Sequence, residues 1–134
     1  MTRRLAILII IVLVISALGR RANPTPQPVD RPWTIVDSKA YAKDSLYHWA
    51  DNQFVCLSKL WGQESSWNPR AYNKHKVMGK NAGGIPQLLG LDPDTPAPIQ
   101  IDRGLAYIKY RYTTPCLAWA HHRSEEHTSE LQSH

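Results

Sequence analysis

The sequence predicts a small, mainly helical α+β domain with a loop-rich or short-hairpin middle, and three observations lead there. Apolar residues recur at spacings of three and four in two separate stretches, Phe54, Leu57, Leu60 and Trp61, then Ile101, Leu105, Ile108 and Tyr112, the signature of helices with one buried face. Between them, from Ala71 to Leu91, periodicity fails and Asn73, Asn81, Gly83 and Gly84 mark turns, as a long loop or a small irregular hairpin requires. Both chain ends read as something other than core, which leaves about ninety residues, 33–122, for one small hydrophobic centre.

The elements follow in order. Leu5 to Leu18 is apolar throughout except for Ser16, with arginine pairs before and after it. Its fourteen residues are short for a membrane span, which needs roughly 20, and residues 1–21 read as a signal peptide or an N-terminal membrane anchor. Four prolines within residues 22–32 make that segment an extended linker. A first helix is expected from Ser38, as N-cap, to Trp49, with Ala42, Leu46 and Trp49 on one side. Asp51 is placed to cap a second helix, which carries Cys56 and Glu64 and stops around Trp67 to Pro69, because a residue preceding proline avoids the helical region. Thr95 and Pro96 open a third helix through Tyr112, and Thr113 to Pro115 breaks it. Pro115 then starts a short fourth helix with Cys116, Leu117 and Trp119.

The last segment, Arg123 to His134, shows no apolar periodicity and brings three glutamates into a basic chain. Its first eleven residues match the frame-one translation of a common sequencing-adapter oligonucleotide, so residues 123–134 read as an artefact outside the domain, whose own C-terminal segment is then missing. Without them, 15 Lys and Arg face 8 Asp and Glu; residues 33–122 alone carry 10 against 7, a modestly basic balance that suits an anionic wall or membrane surface as well as a solvated face. Glu64 becomes the only glutamate. It falls on the apolar face of the second helix, near its negative end, and both burial and the helix dipole raise the pKa of a carboxyl there, as general acid catalysis requires. Cys56 and Cys116, an even count in an exported chain, suggest a disulfide, with two buried thiols as the alternative; a bridge closing so long a loop stabilises by ~4 kcal/mol. Two cysteines without an H-x-x-x-H spacing give no zinc site.

Four motifs in this order carry a family resemblance: E-S-S-W-N-P at 64–69, G-I-P-Q at 84–87, G-L-A-Y-I-K-Y-R-Y at 104–112 and T-P-C-L-A-W at 114–119. Over residues 38–122 the chain resembles a soluble-lytic-transglycosylase-like domain, of the small two-cysteine type common in actinobacterial and phage wall-active proteins. The resemblance implies a lysozyme-like fold, a cleft for peptidoglycan glycan strands, and cleavage of the bond between N-acetylmuramic acid and N-acetylglucosamine. It implies no cofactor or metal, no nucleic acid, and a monomer; the N-terminal segment is what implies export to the cell wall or retention at the membrane. By position, Glu64 matches the catalytic acid; Ser65 supports it; Gly84 and Gln87 approach and hydrogen-bond substrate; Trp119 stands near the aromatic of the third motif. Departures are Trp119–Ala120 where the family often has Y-N, and Lys74 to Lys80, which replaces a shorter turn.

Two-carboxylate glycosidases place their acids roughly 5 to 9.5 Å apart. The stretch from Ser65 to Leu91 contains no acid at all, which favours one-carboxylate transglycosylation over lysozyme-type hydrolysis; a noncatalytic wall-binding module is the rival from another class. Tyr107, Tyr110 and Tyr112, at helical spacing, read as core, with Tyr112 the exception that stacks on sugar. Trp61, Trp67 and Trp119 divide between core and cleft wall, and His75, His121 and His122 read as solvated.

Overall fold

The computed structural model describes residues 31–133. The signal peptide or anchor and nearly all of the proline-rich linker lie outside these residues. Residues from Trp33 onward form one compact unit. Its elements run α1 (Ile35–Ser45), α2 (Asn52–Ser65), β1 (Tyr72–Val77), β2 (Lys80–Gly83), β3 (Leu88–Leu89), α3 (Ala97–Tyr112) and α4 (Pro115–Gln132). The domain is thus mainly helical, with a three-stranded antiparallel sheet in sequence order between α2 and α3. No helix among the described residues is long and apolar enough to cross a membrane.

Helix α1 begins three residues before the expected start. Thr34 is the N-cap: its Oγ1 accepts from the Asp37 backbone N–H at 3.2 Å, while Asp37 Oδ2 accepts from the Thr34 N–H at 2.9 Å. This reciprocal capping box satisfies two otherwise orphaned donors. Ser38 is buried inside the helix instead, facing the same way as Ala42. Asp51 does occupy the N-cap position of α2, but without a side-chain capping bond. Thr95 likewise is not the cap of α3, which starts from Pro96.

The predicted core faces hold. Ala42, Leu46, Leu57, Leu60, Trp61, Ile101, Leu105 and Ile108 are all buried in one cluster, with Phe54, Trp49 and Tyr112 packed at its edge. Cys56 of α2 and Cys116 of α4 form a disulfide, and Gln53 Oε1 accepts from the Cys116 N–H at 2.9 Å beside it. Thr114 caps α4 by accepting from the Leu117 N–H at 3.3 Å, with Pro115 in the first turn.

Two features differ from expectation for local reasons. The middle is a hairpin whose tight turn lies at Met78–Gly79, with φ of 52° and 75°, and neither the asparagines nor Gly83–Gly84 form its tip. Two successive left-handed residues match the right-handed twist of paired strands. Helix α4 is also long: from Arg123 it continues to Gln132 with every residue exposed. Local contacts along it include His121–Glu125 at 3.8 Å and Thr128 Oγ1 donating to the Ser124 carbonyl at 2.9 Å.

One buried polar side chain joins the loops to the helices. Gln100, fully buried on α3, accepts from the Ile85 N–H at 2.8 Å through Oε1 and donates through Nε2 to the carbonyls of Pro69 at 2.9 Å and Thr95 at 2.7 Å. Gly84, at φ 72°, has no room for a Cβ because Gln100 Oε1 lies against it. Gln100→Ala would strand a buried N–H and two carbonyls. It is expected to lower stability by about 3 kcal/mol, read from the urea midpoint at unchanged m-value.

Candidate active site

Glu64 is the penultimate residue of α2, and the way that helix ends fixes where its carboxyl points. Ser66 and Trp67 both adopt left-handed backbone, with φ of 54° and 60°. For non-glycine residues this costs on the order of 1–3 kcal/mol each and persists only where packing compels it. The packing is evident: Trp67 is buried, its ring lies edge-on to Trp61 at 5.2 Å, and its Nε1 donates to the Ser58 carbonyl at 3.2 Å. The chain therefore turns away sharply after Ser65. Ser65 Oγ donates to the Ile85 carbonyl at 2.7 Å and ties the helix end to the loop across from it.

Glu64 faces a cleft of about 360 Å³, within the size range of ligand sites. Trp61, Gly104 and Ile108 form its floor, Pro86 to Leu89 one wall, and Tyr107, Tyr112, His121 and His122 the other. Gly104 is essential to this floor: a Cβ would come within 2.7 Å of both Pro86 Cβ and Trp61 Cζ2. Gly104→Val would lift Pro86 away from Trp61. Tyr107 and Tyr112 meet edge to face at 6.0 Å, and Tyr112 lies 5.1 Å from the His121 ring.

The Glu64 side chain is 30% exposed. Burial raises its pKa above the ordinary carboxylate value; His122 opposes this, while Glu125 and Glu126 add to it by repulsion. His122 Nδ1 lies 3.4 Å from Glu64 Oε1, and its Nε2 lies 3.4 Å from Glu126 Oε1 without hydrogen-bond geometry. Trp119 stacks on the imidazole, with ring centres 5.7 Å apart. The Tyr112 phenol is also raised, mainly by burial and then by Tyr107.

No family model, curated protein or solved structure matches this chain. What the site can do rests on its own geometry. It offers a carboxyl, Glu64, in a partly dry position, a histidine nitrogen 3.4 Å from it, and tyrosine faces on which a ring could lie. Among the described residues no cluster of His, Cys, Asp and Glu is arranged to hold a metal ion.

The residues expected from sequence divide into two groups. Glu64, Gln87 and Tyr112 line the cleft together. Ser65, Gly84 and Trp119 do not line it: Ser65 and Gly84 brace the loop behind it, and Trp119 packs against the core and His122. Gln87, at φ 50°, spends its Nε2 on the carbonyls of Gly84 at 3.0 Å and Ala71 at 3.3 Å, which leaves its Oε1 as the end directed to a ligand. Trp61 and Trp67 are both buried, with an edge of Trp61 reaching the cleft. Two expectations are corrected. Tyr107 and Tyr110 are not core, since Tyr107 lines the cleft and Tyr110 is 89% exposed; both lie off the Ile101–Leu105–Ile108 stripe. His122 is not solvated but half-buried against Glu64, on the same helical face as buried Pro115 and Ala118. That spacing of three and four was the available signal.

The contact carries a prediction. A protonated imidazole favours the Glu64 carboxylate, so His122→Asn should move the Glu64 titration to higher pH. Carboxyl ¹³C NMR of glutamate-labelled chain measures it, with Glu64→Gln assigning the resonance.

Proposed function

We propose that the domain is a lysozyme-like peptidoglycan lytic transglycosylase that acts as an exported monomer on glycan strands. The observation carrying this reading is that, among the described residues before Arg123, Glu64 is the only carboxylate lining the cleft. Three other acids are engaged outside the cleft lining: Asp37 caps α1, Asp94 pairs with Arg70 at 2.7 Å, and Asp102 accepts from the Tyr41 hydroxyl at 3.0 Å.

One carboxyl suffices for this reaction. Glu64, whose pKa burial raises, donates its proton to the glycosidic oxygen as the bond to muramic acid breaks. The substrate's own N-acetyl group stabilises the oxocarbenium-like carbon. Glu64, now a carboxylate, takes the proton from the muramyl 6-hydroxyl as that oxygen closes a 1,6-anhydro ring. Tyr107 and Tyr112 supply faces for the sugar, and the Gln87 amide oxygen accepts from its polar edge.

Product analysis tests the proposal. Wall digests should yield anhydromuramyl ends; digests with reducing muramic ends alone would replace it with hydrolysis. One observation favours that second reading. Glu125 lies on the cleft rim and provides a second carboxylate. It belongs, however, to the run that matches translated adapter, and Glu125→Gln should therefore leave the products unchanged.

A further inference from the structure

The β1–β2 hairpin is unlike the rest of the domain. Every residue of β1 is exposed, so neither of its faces packs on the core. Lys74, Lys76 and Lys80 stand along it, and the sequence from Ser65 to Leu91 has no acid to neutralise them. Among the described residues none of the three lysines enters an ion pair. At the turn between the strands Met78 is 91% exposed, with Val77 beside it at 47%. Register sets Val77 opposite Lys80 and Lys76 opposite Asn81, so lysines flank the apolar tip on both strands. A soluble domain gains nothing from an unpartnered apolar tip ringed by cations.

We propose that the hairpin docks on an anionic lipid bilayer, with Met78 and Val77 entering the interface and Lys74, Lys76 and Lys80 pairing with acidic headgroups. The lysines alone would suit any polyanion; the apolar tip is what selects a bilayer, because only there does it find an apolar phase. Of the two acids that follow the hairpin in sequence, Asp94 is paired with Arg70, and Asp92, whose Oδ1 accepts from the Asp94 N–H, keeps its charge.

The test uses the full chain with Met78→Cys carrying an environment-sensitive fluorophore, and a control label at Asp44→Cys on exposed α1. Each is mixed with vesicles of phosphatidylcholine alone or with phosphatidylglycerol added. The expected result is a blue shift at position 78 on the anionic vesicles only, none at position 44, and about a hundredfold more lipid needed for the shift when Lys74, Lys76 and Lys80 are changed to Gln. Equal shifts at both positions would mean that the N-terminal segment merely draws the chain to the lipid, and would overturn the proposal. So would an unshifted tip on anionic vesicles, or soluble polyphosphate binding with the tip unshifted, which would make the hairpin a polyanion site. Lysine changes that leave the shift intact would also refute it. All the altered side chains are exposed, so the thermal midpoint should stay constant across the set.

Discussion

Glu64→Gln is expected to abolish glycan cleavage and to leave the domain folded. General acid catalysis contributes on the order of 10²–10⁴-fold, and in the proposed mechanism the same carboxyl serves both proton transfers, so the loss should lie at the upper end or beyond. A noncatalytic module would instead bind wall fragments equally before and after the change. Stability gives an independent signature with a definite sign. Burial raises the Glu64 pKa in the folded state, so between the ordinary carboxylate range and that raised value the folded chain binds more protons than the unfolded one. Stability contributed at this position is greatest at low pH and falls as pH rises through the window. Glu64→Gln, which cannot ionise, should therefore melt higher than the parent at neutral pH, and the gap should close below about pH 4. Paired thermal melts across pH, alongside turnover of purified peptidoglycan, read both effects. An activity loss accompanied by a lower melting point at neutral pH would point to a structural role for Glu64.

Removing the Cys56–Cys116 bridge should be the largest stability change available. The bridge spans a sequence separation of 60 and joins α2 to α4. In the chain-entropy model a loop of that size is worth ~4 kcal/mol. A domain of this size has a total stability of only roughly 5–15 kcal/mol, so the Cys56→Ser, Cys116→Ser chain should lose on the order of 20 °C in melting temperature. Activity should fall as well, because the bridge fixes the helix bearing Glu64 against the helix bearing His122. Circular dichroism of the oxidised chain with and without reductant checks the first effect. A shift of only a few degrees would show that the Gln53–Cys116 contact and the packing around it suffice without the sulfurs.

Much of this arrangement was legible in the residues because it depends on periodicity and punctuation. The stripes on α2 and α3, the stop before Pro69, the break at Thr113–Pro115 and the cysteine pair all follow from rules that act within a few residues. The bridge partners needed only counting. Glu64 stood out because a carboxyl on an apolar face demands a reason. What escaped depended on contacts between distant segments. Gln100 looks in sequence like an ordinary helical glutamine; only when Pro69, Ile85 and Thr95 converge on it does its role become visible. Ser38 was a plausible cap until Thr34 and Asp37 satisfied each other first. His122 was obscured because the glutamate-rich run after it showed no helical pattern of its own, although the helix continues through it. Glu125 and Glu126, both in that run, also raise the Glu64 pKa, so the acid's titration in this chain partly reflects the residues that follow His122.

Gln100 has a further consequence, for motion. A side chain that holds three backbone segments at once makes their opening cooperative, since none can swing out without breaking bonds to the others. In native-state hydrogen exchange the Ile85 amide should exchange slowly and together with the interior of α3. Amides near Met78 should exchange freely, since nothing packs over them. The loop that follows Gly84 and walls the cleft is then held stationary with α3, while the compliant hairpin tip, which does not line the cleft, can move without disturbing it.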